Sequence, residues 1–139
     1  MATRKQPVRK KRVPAATGPA KEDPRLIRLS KICLALPNAE RTVKGSHAVF
    51  TGGPRKKVFA YFLNDHHGDG IVAVTCKVVP GDNQALVAAQ PNRFYLPAYI
   101  GPRGWVGLRL DAGKVDWSEV GELVQGSFSL TTAKTPRAA

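Results

Sequence analysis

The chain has 139 residues, 42% apolar and 23% charged, which fits one ordinary globular domain and is short for two. No apolar run approaches the roughly 18 residues that cross a bilayer, and no apolar stretch near the start reads as a secretory leader. Lys and Arg number 22 against 10 Asp and Glu, a formal net charge of +12 that points to a polyanionic partner.

The charge is uneven along the chain. Residues 1–21 carry Arg4, Lys5, Arg9, Lys10, Lys11, Arg12 and Lys21 and no acid. They also hold Pro7, Pro14 and Pro19 and show no apolar periodicity, so residues 1–23 read as a disordered basic arm. Three roles compete for it: gripping nucleic acid or another polyanion, aiding solubility, or serving as a transit or nuclear signal around Arg9-Lys10-Lys11-Arg12. The prolines count against an amphipathic transit helix. The two cysteines, Cys33 and Cys76, are too few for a disulfide framework and suggest a reducing, cytoplasmic setting.

From residue 24 the pattern turns helical, with Leu26, Leu29, Cys33 and Leu36 at spacings of three and four. Asp23 is placed to cap this helix, Pro24 to begin it and Pro37-Asn38 to end it. Between residues 45 and 110 the period moves towards two. Strands are expected at 47–50 and 57–63, joined by the glycine- and proline-bearing loop 51–56, and at 71–79, after the turn 64–70. On the third strand Val72, Val74, Cys76 and Val78 share a face. Asp82 is read as capping a short helix that runs to Ala89. Residues 95–100 look extended, and 105–110 form a strand with Trp105, Gly107 and Arg109 on one side. Asp116 with Glu119 three residues on resembles a capping box, and Trp117, Val120, Val124 and Phe128 follow on one helical face.

These elements predict a two-layer α+β domain over residues 24–133. An antiparallel sheet of about five strands carries the helices on one face, in the order α-β-β-β-α-β-β-α, with a frayed tail at 134–139. The other face of the sheet is left to solvent or to a partner.

The run Arg93-Phe94-Tyr95-Leu96-Pro97-Ala98-Tyr99-Ile100-Gly101-Pro102-Arg103-Gly104-Trp105-Val106-Gly107-Leu108-Arg109-Leu110, followed by Val115-Asp116-Trp117, resembles the signature of the MmcQ/YjbR family. Residues 25–37, Gly45, Phe50 and Lys57-Val58-Phe59-Ala60 also resemble it, and the likeness extends over residues 24–133. The resemblance implies a compact fold related to frataxin-like and secretion-chaperone-like proteins, and DNA binding through a double-wing arrangement. It brings no catalytic residues. The chain departs from the family pattern at Pro102-Arg103, where one positive charge is kept.

Two loops share the tripeptide Gly-Pro-Arg and put positive charge at exposed turns: Arg55, Lys56 and Lys57 in one, Arg103 in the other. Cationic tips of this kind can track a phosphate backbone and release condensed counterions, with little sequence preference. The same glycines and prolines also suit a plain soluble turn. Trp105 and Arg109 lie on one side of a strand, where they could stack on a base or hold a partner; equally, the indole could be buried under Tyr95 or Tyr99. His66-His67 with Asp65 and Asp69 is the one metal-like cluster, but Asp and Gly are also what a tight turn needs, and no metal or other cofactor is expected. No nucleophile elbow, phosphate loop or paired carboxylates appear; Asp111 and Asp116 look like turn or cap residues, and Cys76 has no evident base.

The sequence thus points to a non-enzymatic nucleic-acid-binding protein, cytoplasmic, with nucleoid association open to it, and without a small-molecule substrate. The competing reading is a protein-interaction or chaperone-like module that uses the outer sheet face, including self-association.

Overall fold

The computed structural model describes residues 22–133. Expectations for residues 1–21, Arg9, Lys10, Lys11 and Arg12 among them, and for residues 134–139 lie outside the described residues. Helix α1, Pro24–Leu34, starts as the sequence predicts: the Asp23 carboxylate accepts from the Arg25 backbone N–H at 2.8 Å, and Pro24 occupies the first turn. Leu26, Leu29 and Cys33 are buried along its stripe.

Strand β1, Glu40–Lys44, is an addition to the expected order. It pairs antiparallel with β2, His47–Gly52, which pairs with β3, Lys57–Asn64. Strand β4 is Val72–Lys77, helix α2 Asp82–Ala89, β5 Phe94–Tyr95, β6 Trp105–Arg109 and helix α3 Trp117–Thr132. Among the described residues these strands form one antiparallel sheet in the order β1-β2-β3-β4-β6-β5. The sheet has six strands rather than about five.

Two local expectations need correcting. Asp82 is not a cap; it is the first helical residue of α2, behind Gly81. Of the expected extended segment 95–100 only Tyr95 pairs as strand, together with Phe94 before it. Past them the chain turns, closed by Gly101 N–H to Pro97 O at 2.9 Å, into a single 3-10 turn at Gly101–Arg103.

The helices lie on one face. Ala48, Phe50, Ala60, Phe62, Val74, Cys76, Val106 and Leu108 point to that side and join Leu29, Val120 and Val124 in one buried core. Phe59 is the extra residue of a β-bulge between β2 and β3, and its ring packs edge-on against Phe128 of α3. The bulge breaks the β3–β4 ladder, and Ser127 of α3 fills the gap. Its buried hydroxyl donates to Phe59 O at 2.6 Å and accepts from Lys77 N–H at 2.8 Å.

The opposite face is not simply open. Tyr95 lies flat against β6: a Cβ on Gly107 would sit 2.3 Å from its ring, so only glycine fits there. Ala73 and Thr75 on β4, which point to this face, are fully buried.

Candidate functional site

Antiparallel pairing decides which loops meet. The β2–β3 turn, the end of β4 and the start of β6 all fall at one end of the sheet. Arg55, Lys56, Lys57 and Arg103 are therefore brought to the same end. Lys77, the last residue of β4 and the pairing partner of Trp105, joins them. Strands β3 and β6 are separated only by β4, so the strands that carry the hairpin tip and the 101–104 turn lie two strand spacings apart, about 10 Å. Two acids share this end: Glu40, 3.7 Å from the Lys56 ammonium in an exposed pair, and exposed Asp82. An exposed pair of that kind leaves Lys56 largely available.

The other end of the sheet carries mixed charge. Asp23, Asp65, Asp69, Asp111 and Asp116 gather there with Arg25, Lys44, Arg109 and Lys114. Arg25 and Arg109 are held by Asp23 and Asp111 at 2.7 and 3.0 Å. Arg109 is thus separated from the basic end by the length of β6, about 13 Å, and is already paired. Burial opposes ionisation of Asp111, but the Arg109 guanidinium and the Val72 N–H outweigh it and hold the carboxyl below its ordinary value.

Trp105 does not offer an exposed stacking face. It is 8% exposed, with its ring tilted against Tyr61 at 5.5 Å. Its role is to anchor the Arg103 turn. Asn83 of α2, itself buried, reinforces that turn by donating to Gly101 O at 2.9 Å and to Trp105 O at 3.1 Å. Gly104 takes a left-handed φ of 93°, and its carbonyl accepts from Val78 N–H at 2.8 Å.

Beside this turn, on the face away from the helices, lies a cavity of about 420 Å³. Tyr61 and Leu63 of β3, Tyr95 and the 97–100 loop form its walls, with His66 and Asp69 on one side. All three tyrosines of the chain line it. Tyr99 is 85% exposed and holds a left-handed φ of 69°. Burial, then the charges of Asp69 and Asp111, push the Tyr95 hydroxyl up to about 12, so it remains a donor at neutral pH.

The turn at 64–70 spends its carboxylates on backbone. Asp65 accepts from Gly70 N–H at 2.7 Å and Asp69 from Ile71 N–H at 2.9 Å. His66 packs edge-on against His47. Among the described residues, no three His, Cys, Asp or Glu side chains come together as a metal would require. A larger cavity, about 1110 Å³, opens between the start of α1 and the β1–β2 hairpin, but its carboxylates are engaged: Glu22 by Arg41 at 2.8 Å and Asp23 by Arg25. Burial pushes the Cys33 thiol up to about 12 and raises Cys76 as well; both are free, buried and poorly suited to nucleophilic chemistry.

Lys77, Asn83 and the tyrosine cavity escaped the sequence reading. Lys77 ends a run of buried residues, and only strand direction reveals which loops it joins. The cavity had one signal, the clustering of Tyr95 and Tyr99 within five residues, but Tyr61 reaches it only through sheet pairing.

No helix among the described residues is long and apolar enough to cross a membrane. A family model described as YjbR matches residues 34–130. The crystal structure of the Deinococcus radiodurans protein DR2400, with a DUF419 domain, is 28% identical, superposes with a TM-score of 0.63, and is matched over 78% of this chain and 79% of that one. A Pseudomonas syringae protein of 18% identity shares the fold at a TM-score of 0.56, over 67% of this chain and 86% of its own. No curated protein gives a significant match.

Proposed function

This chain belongs to the YjbR family, and we propose that it is a non-enzymatic, cytoplasmic nucleic-acid-binding protein that grips phosphates with the basic end of its sheet. The observation that carries this reading is the segregation of charge. Arg55, Lys56, Lys57, Lys77 and Arg103 collect at one end against only Glu40 and Asp82, while at the other end five aspartates are offset by Arg25, Lys44, Arg109 and Lys114. A polyanion meets an excess of positive charge at the first end and near balance at the second, which favours one orientation.

The hairpin tip and the 101–104 turn act as two short wings at the same end of the sheet, placed to contact phosphates of a backbone. Bulge, Ser127 and Asn83 give these wings rigid roots. The contacts are to backbone, so the binding is weakly sequence-specific. The basic residues of segment 1–21 add charge to the same task.

Titration of the full chain with a short duplex DNA tests the reading. With about six phosphates neutralised, affinity falls roughly 1,000-fold between 50 and 200 mM salt. The triple variant Lys57→Ala, Lys77→Ala, Arg103→Ala flattens that dependence. Absence of binding at low salt refutes the proposal.

A further inference from the structure

We infer that the cavity formed by Tyr61, Tyr95 and Tyr99 receives an unpaired base of a single-stranded nucleic acid, whose phosphates continue onto Arg103 and Lys77. This inference rests on the nucleic-acid reading above and adds to it a preference for single strands.

The cavity has the size of a small-ligand site, about 420 Å³ against a usual range of about 300–1,000 Å³. Its walls are aromatic and aliphatic, which suits the flat face of a base and gives a phosphate nothing. Charge lies just outside. The Arg103 backbone N–H bonds Ile100 O at 3.0 Å, so Arg103 follows one 3-10 turn after a wall residue. Lys77 points to the same face beside Trp105, whose ring touches the Tyr61 wall. An apolar slot with a cationic rim on one side is complementary to a nucleotide: base inside, phosphate at the rim.

Tyr99 adds an independent observation. A bulky residue with φ of 69° is a backbone outlier, and this one places an aromatic ring 85% in water at the mouth of the slot. The bond from Gly101 N–H to Pro97 O and that from Ile100 N–H to Ala98 O, at 2.9 and 2.7 Å, hold the loop in this form. The ring is pre-set for stacking and gains a partner when a base enters. The Tyr95 hydroxyl offers a donor for base edges, and the Asp69 oxygen not bonded to Ile71 N–H offers an acceptor.

Fluorescence anisotropy with the full chain at low salt decides the matter. Three labelled probes of equal length are compared: a mixed-sequence single strand, the same strand with abasic sugars, and a duplex. The intact single strand is expected to bind about tenfold or more tighter than the abasic one, as stacking of a base on an aromatic ring brings about 5- to 100-fold. Tyr99→Gly removes the ring and accepts the left-handed backbone without strain, so it erases that advantage while duplex affinity stays unchanged. Tyr99→Phe keeps it. Equal binding of intact and abasic strands, or no effect of Tyr99→Gly, overturns the inference and leaves the phosphate reading intact. Failure of all three probes to bind overturns both.

Discussion

Thr75 sits at the centre of the sheet with its side chain on the face away from the helices, flanked by its pairing partners Tyr61 and Gly107. Its Oγ1 is buried and finds no hydrogen-bond partner among the described residues. A buried hydroxyl that has lost water without gaining a protein partner costs about 1–3 kcal/mol. Valine has the same shape and favours strands. Thr75→Val is therefore expected to stabilise the fold by about 1 kcal/mol, read as a higher urea midpoint with an unchanged slope. A loss of stability would mean that the hydroxyl has a partner after all, such as a trapped water. The neighbouring Gly107 works in the opposite sense. Any side chain there meets the Tyr95 ring, so this small residue is what lets the tyrosine roof close.

At the scale of elements, helix α2 matters less for its own burial than for what it holds. Asn83 is its one fully buried residue, and both protons of its amide go to the 101–105 segment. Asn83→Ala removes a donor from two carbonyls, of which Gly101 O keeps the Gly104 N–H at 3.0 Å, and should destabilise the chain by about 1–3 kcal/mol in chemical denaturation. On the reading proposed here, it also weakens duplex binding, because the Arg103 wing loses its root. Stability lost with affinity unchanged would separate the turn from binding. This dependence could not be read from the sequence, where Asp82 read as the cap of α2 and nothing marked Asn83. The helices and central strands were legible because burial imposes periodicity: Leu26, Leu29 and Cys33 repeat at helical spacing, and Val72, Val74 and Cys76 at strand spacing. Strand β1 was not. Glu40-Arg41-Thr42-Val43-Lys44 is an edge strand with little buried surface, and its residues carry no apolar alternation to betray it. The bulge at Phe59 was equally silent, since it arises from pairing rather than composition.

For the whole molecule, the decisive property is the polarity of charge along the strands. Strand β3, Lys57–Asn64, runs the length of the sheet, about 26 Å at ~3.3 Å per residue. That exceeds the screening length of about 10 Å at 0.1 M salt, so the two ends act as independent electrostatic surfaces. The two wing loops were visible in the sequence as separate basic turns; their convergence, and the withdrawal of Arg109 to the far end, come from strand order alone. A consequence can be measured. Removing residues 1–21 takes away seven positive charges and leaves at most the five cations of the basic end to neutralise phosphates. The slope of log affinity against log salt should then be no steeper than about −4.5, shallower than that of the full chain. In the shortened chain, Lys57→Ala with Arg103→Ala should weaken binding at least about tenfold, whereas Asp116→Lys, a charge step of equal size and opposite sign at the far end, should change affinity less than about threefold. If the far-end substitution instead strengthens binding as much as the near-end pair weakens it, the phosphates are responding to net charge, and the polarity of the sheet has no part in recognition.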